Sequence, residues 1–181
     1  MAGELDTVTF RGVWDAADYD DSSKYVDLTL DVLGMEPKFE KRGQDTVKNS
    51  GSIRASRYEW LNIDVNFAPF YVLEQADFND SADYFKFKAL LKRRHIYIIS
   101  TTLTRPYETR ILAPPEIVNL WDNAIAGGIL PLEVEPVGES KSANYNNGYE
   151  KLKITFAAKN YSDIIDKITG PDSYSGSSGT I

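Results

Sequence analysis

Alternation of apolar and polar residues with a period of two recurs along this chain and limits it to strand-built folds. Val26, Leu28, Leu30 and Val32 alternate with Asp27, Thr29 and Asp31. Leu61, Ile63, Val65 and Phe67 alternate with Asn62, Asp64 and Asn66, and Leu152, Ile154 and Phe156 with Lys151, Lys153 and Thr155. Successive side chains of a strand point to opposite faces, so each run describes a strand with one buried and one wet face. Strands of that kind belong to antiparallel sheets. Thr7 to Val13 reads as a first strand, His95 to Leu103 as a more fully buried one and Tyr107 to Leu112 as another. In Leu130, Leu132 and Val134 the neighbouring prolines predict an edge position. The expected class is mainly β (α+β), an antiparallel β-sandwich or barrel.

Two helical patterns interrupt the strands. Asn79 or Asp80 can cap a principal helix reaching about Arg93, with Ala82, Phe85 and Ala89 on one stripe and Tyr84, Phe87 and Leu91 alongside. Lys92, Arg93 and Arg94 close it with the charge sign favoured at a helix C-terminus. A short second helix starts at Pro115, carries Ile117, Leu120, Trp121 and Ala124, and stops at Gly127 and Gly128. Ser162 to Ile168 is a third, shorter helical pattern. Between strands ending near Leu33 and beginning near Tyr58 lies a long connection, 35–57, of the kind that is usually functional. No repeat or linker divides the chain, which gives one β-rich domain over 1–169 and a polar arm over 170–181. That arm, GPDSYSGSSGTI, has almost nothing to bury and is expected to order only against a neighbour.

Composition removes several function classes. With 181 residues the chain is long enough to bury a core of its own. It has no cysteine, which excludes thiol catalysis, disulfides, iron–sulfur clusters and thiolate zinc sites. MAGELDTVTF has neither a basic nor an apolar leader region, and no apolar run approaches the roughly 20 residues that span a bilayer. The expectation is a chain made in the cytoplasm, with no membrane partner. The net charge of −7 opposes general nucleic-acid binding, whose affinity comes from cations neutralising phosphates.

Candidate chemistry is sparse. The one histidine, His95, rules out a multi-histidine metal site and reads as a strand-end residue. Asp15, Asp18, Asp20 and Asp21 resemble a calcium loop only in part, because Ser23 replaces the required glycine and Thr29 the bidentate Glu. Glu74, Glu108 and Glu116 offer carboxylate pairs without specific spacing, and Tyr58, Trp60 and Trp121 read as core or interface before sugar platform. The glycines form no phosphate-binding fingerprint. The expectation is no enzyme, no cofactor and no metal. The most distinctive surface element is the basic connection, with Lys38, Lys41, Arg42, Lys48, Arg54 and Arg57. It suits a charged arm docking on the acidic face of a neighbouring copy, for which Asp18, Asp20 and Asp21 qualify. Tyr174 of the polar arm joins the expected subunit interface.

Taken together, the strand-rich core from Val8 to Phe156, the long loop Glu36 to Ser56, the helix Asp80 to Arg93 and the extended termini resemble the layout of small neck and tail proteins of tailed bacteriophages, the tail-tube and tail-terminator proteins among them. The resemblance implies a β-sandwich or barrel that forms a ring or tube around a channel which DNA passes without specific binding. Its partners would be copies of itself and neighbouring virion proteins, and its location the virion. The alternative is a monomeric β-sandwich module binding carbohydrate or peptide.

Overall fold

The computed structural model of the chain describes residues 5–42, 46–47, 49–51, 53–54, 58–71, 79–103, 130–144 and 148–159. In chain order these form β1 (Asp6–Val13), a 3-10 turn (Ala16–Asp18), β2 (Val26–Arg42), β3 (Thr46–Val47), β4 (Ile53–Arg54), β5 (Tyr58–Phe67), β6 (Phe70–Tyr71), helix α1 (Ser81–Leu90), β7 (His95–Thr101), β8 (Leu132–Asn144) and β9 (Tyr149–Ala158). Six strands pair antiparallel in the order β5-β2-β1-β7-β8-β9, and pairing of β5 with β9 closes them into a barrel. Closure removes the sheet edges that would otherwise template aggregation.

The alternation seen in sequence fills the barrel. Leu28, Leu30 and Val32, Leu61, Ile63, Val65 and Phe67, and Leu152, Ile154 and Phe156 are all buried. They meet Val8 and Phe10 of β1, Ile96 and Ile98 of β7 and Leu132 and Val134 of β8. Each such side chain contributes roughly 1.5–3 kcal/mol of burial. In β7 the pattern alternates, with Tyr97 and Ile99 only half-buried, so this strand is less fully buried than its composition suggests. Residues 132–134 of β8 pair with β7, and Val134 also with β9. This stretch lies inside the sheet order, contrary to the edge expectation drawn from its prolines.

Helix α1 plugs one mouth of the barrel. Phe87 and Leu90 are its buried residues, and the Phe87 ring lies 5.4 Å from Phe10 and 4.9 Å from Phe67. Asp80 is the N-cap, its carboxylate accepting the Asp83 N–H at 2.8 Å. Buried Asn79 anchors the helix entry: its side chain accepts the Asp31 N–H at 2.9 Å and donates to the carbonyls of Asp31 and Ala68. At the other end of α1 the approach to β1 is so close that a Cβ on Gly12 would meet Arg93 Cγ at 2.9 Å and Leu90 Cγ at 3.1 Å. A larger residue there would have to displace Arg93 or Leu90.

Two expectations change. The stripe Ala82, Phe85, Ala89 faces solvent, with Phe85 69 % exposed, while Phe87 and Leu90 with half-buried Tyr84 and Leu91 face the core. Apolar residues lie on both sides of this helix, so spacing alone left its orientation open. The second change concerns 35–57. The strand expected to end near Leu33 runs on to Arg42, paired with β5 from Met35↔Val65 to Arg42↔Tyr58, so 35–42 is strand and not loop. The ladder shifts register between Val32 and Gly34, a β-bulge that leaves Leu33 53 % exposed. The extra residue moves the inward positions from even numbers to odd ones, Met35 and Pro37, which breaks the period-two pattern in sequence while keeping the same face inside. The strand 107–112, the helices expected from Pro115 and from Ser162, and the arm 170–181 lie outside the described residues.

Candidate functional site

The expected interface centres on the continuation of β2. Past Gly34, β2 pairs among the described residues only with β5, and Asn62 is the last β5 residue paired to β9. From Phe39↔Leu61 to Arg42↔Tyr58 the two strands therefore form a ribbon beyond the closed barrel, and β3 and β4 pair with each other between them in sequence. Just before the ribbon β2 carries Pro37 and Lys38, residue types that discourage indiscriminate edge pairing.

The proposed docking cations do not share one environment. Lys38 Nζ lies 2.8 Å from Asp64 and 3.7 Å from Glu36. Asp64 also accepts the Thr155 hydroxyl at 2.6 Å, and Lys153 stands 3.5 Å away. Burial works to raise the Asp64 pKa, but hydrogen bonds from Lys38 and Thr155 and the two lysine charges outweigh it and hold the carboxyl below its usual range. The hydrogen bond to Asp64 in turn raises Lys38. Lys38 thus works inside its own chain, stitching β2 to β5. Lys41 and Arg42 stand in register opposite Glu59 and Tyr58, and Arg54 opposite Thr46. The side chains of Lys41, Arg42 and Arg54, and Lys48 and Tyr174 as a whole, lie outside the described residues, as do the side chains of Tyr58 and Trp60 and the whole of Glu74, Glu108, Glu116 and Trp121.

The acidic loop is built and partly neutralised from within. Arg11 grips Asp27 with two hydrogen bonds of 2.8 Å, donates to the Tyr19 carbonyl at 3.1 Å and stacks 3.6 Å from the Tyr25 ring centroid. Tyr19 meets Tyr97 edge-on at 4.7 Å, which fixes the loop to β7. Asp15 caps the 3-10 turn through the Ala17 N–H. Lys24 reaches Asp18 at 2.8 Å and Asp21 at 3.6 Å. Hydrogen bonds from Ser23, assisted by Lys24, lower the Asp21 pKa. Asp20 is exposed and makes no ion pair among the described residues. Of the three acids expected to receive an arm, Asp18 and Asp21 already share a cation. Among the described residues no group of three or more His, Asp or Glu side chains is placed to hold a metal ion.

His95 opens β7, as a strand-end residue, and its Nδ1 lies 2.7 Å from Glu133 Oε1. Lys159 Nζ approaches the same oxygen at 2.9 Å. Burial would raise the Glu133 carboxyl, but the His95 and Lys159 hydrogen bonds prevail and lower it. This cluster ties β7, β8 and the residue after β9 together.

Two exposed aromatics that the sequence reading did not single out as surface stand on α1 and at the start of the acidic loop. Phe85 is 69 % and Trp14 58 % exposed, and the Arg93 guanidinium lies 4.9 Å from the Trp14 ring. The available signal was the competing spacing Tyr84, Phe87 and Leu91, which fits a buried stripe equally well. No helix among the described residues is long and apolar enough to cross a membrane. No protein-family model matches the chain, and no curated protein matches it in sequence.

Proposed function

We propose that this chain is a virion structural protein of a tailed phage, a subunit of a neck or tail ring or tube that surrounds the DNA channel. The observation that carries the reading is the ribbon of β2 and β5, whose pairing continues from Phe39↔Leu61 to Arg42↔Tyr58, past the last residue that β5 pairs to β9. A free monomer gains little from ordering such an element, whereas a subunit gains a reach onto its neighbour. The ribbon and the segment it carries are rich in cations, Lys41, Arg42, Lys48 and Arg54, against a chain of net charge −7. That imbalance suits contact between copies, and an acidic lumen lets DNA pass without counterion release. Partners are copies of itself and neighbouring virion proteins, and the setting is the virion assembled in the host cytoplasm. No enzymatic step enters this reading.

The test is charge reversal of Lys41, Arg42 and Lys48 together, followed by mass photometry. Assemblies of the wild-type chain should dissociate in the variant while circular dichroism stays unchanged; assemblies of equal size in both would refute the role of the ribbon. A monomeric module for carbohydrate or peptide is the second reading, and exposed Phe85 and Trp14 favour it.

A further inference from the structure

The mouth plugged by α1 carries a patch of both signs. Along the solvent side of the helix run Ala82, Phe85 and Ala89, spaced by three or four residues, with Lys92 two residues past its end, all of them exposed. Lys86 and Arg94 are exposed as well, and neither makes an ion pair among the described residues. The cations that follow the C-terminus of α1 suit the helix dipole. That accounts for their sign but not for the exposed Trp14 beside them. Trp14 leaves β1 at the point where Gly12 admits Arg93 and Leu90, and Arg93 covers one face of its ring. The residues after Trp14 are the acidic loop, with four Asp between 15 and 21 against the single Lys24. The cations that close the helix and the acidic loop thus meet at an exposed tryptophan.

We infer that this patch is a two-fold contact between copies of the chain, in which the α1 stripe of one copy lies on the acidic loop of the other and the two Trp14 side chains sit near the axis. A two-fold interface requires one self-complementary surface, and adjacent patches of opposite sign on one face meet that requirement. Exposed Trp14 with Arg93 against it at the junction, and exposed Phe85 further along the helix, are residue types that anchor interfaces. The loop is held in place by Arg11, Asp27 and the Tyr19–Tyr97 contact, so little order has to be gained on association. The inference is separable from the ring reading on the helix side, because Trp14, Lys92 and Arg93 lie outside the β2–β5 ribbon, whereas the acidic loop is a docking face in both.

Sedimentation of the full chain over a concentration series tests it. Alongside larger rings, the wild type should populate a species of two copies, each of 20.3 kDa. Lys92→Glu with Arg93→Glu should weaken pairing by roughly 100-fold, and Asp20→Lys with Asp21→Lys by a similar factor, since each reversal acts twice. Mixing the two variants should restore pairing, as a heterodimer only; restoration also proves that both variants fold. A wild type that stays monomeric, association indifferent to either reversal, or no restoration on mixing would each overturn the contact. Larger assemblies that survive both reversals would assign association to the ribbon instead. An oligonucleotide that binds the wild type and not the Lys92/Arg93 variant, with self-association unchanged, would give the stripe to nucleic acid.

Discussion

β2 and β8 use the same device and put it to opposite ends. Each is a long strand broken by one bulge, at Leu33 in β2 and at Val137 in β8, and each bulged residue is about half exposed, 53 % and 50 %. In both, the extra residue shifts the inward positions from even to odd numbers. Past the β2 bulge those positions hold buried Met35 and Pro37, and Met35 joins the core against Val65. Past the β8 bulge they hold Glu139 opposite Ile154 and Lys141 opposite Leu152. Glu139 receives Lys141 at 2.9 Å and Lys88 of α1 at 3.0 Å, and Glu150 accepts the Tyr84 hydroxyl. One continuation therefore extends the core, and the other is a polar latch for the helix that plugs the barrel. A bulge decides where a strand bends, and the residues after it decide what the continuation is for.

The sharpest test of that contrast is truncation on the core side. Met35→Ala should cost about 2–4 kcal/mol in urea unfolding, from lost burial and the cavity left behind. Next comes the latch at the helix entry. Asn79→Ala strands the Asp31 N–H and the Ala68 carbonyl and should cost about 1–3 kcal/mol by the same assay. Smaller, and dependent on pH, is the ladder across β2, β5 and β9. The Asp64 pKa is depressed in the folded chain, so its contribution is complete above the unfolded value of about 3.9 and disappears as pH falls through the lower folded one. The stability gap between wild type and Asp64→Asn should accordingly be widest near neutral pH and close on acidification; a gap that widens below pH of about 4 would contradict the assignment. The smallest effect belongs to the β8 side. Glu139→Gln loosens a solvent-exposed network and should cost under about 1 kcal/mol. If it cost as much as Met35→Ala, the distinction between the two continuations would fail.

Much of the barrel was legible because its strands alternate without interruption at 26–32, 61–67 and 152–156, and the buried set follows that alternation except at exposed Val26 and buried Asn62. Closure was not legible, since the pairing of residues 62–66 with 153–157 joins distant strands and leaves no local mark. The continuation of β2 was hidden by its bulge: Leu33 ends the even-numbered pattern, and Met35 and Pro37 restart it out of phase. The orientation of α1 was undecidable from spacing, because Phe85 and Phe87 each sit on a plausible apolar stripe. For the candidate site, the sequence marked the basic and acidic segments but not their internal pairing, Lys38 with Asp64 and Lys24 with Asp18, which depends on strand register and loop folding. The partner of His95 was likewise hidden, since Glu133 comes 38 residues later.

Negative-stain imaging of the purified wild-type chain, paired with mass photometry on the same sample, addresses the assembly claim most directly. The account predicts closed rings, or tubes of stacked rings, with masses at integer multiples of 20.3 kDa. A single monomeric species at every concentration, with no ring in the images, would contradict it.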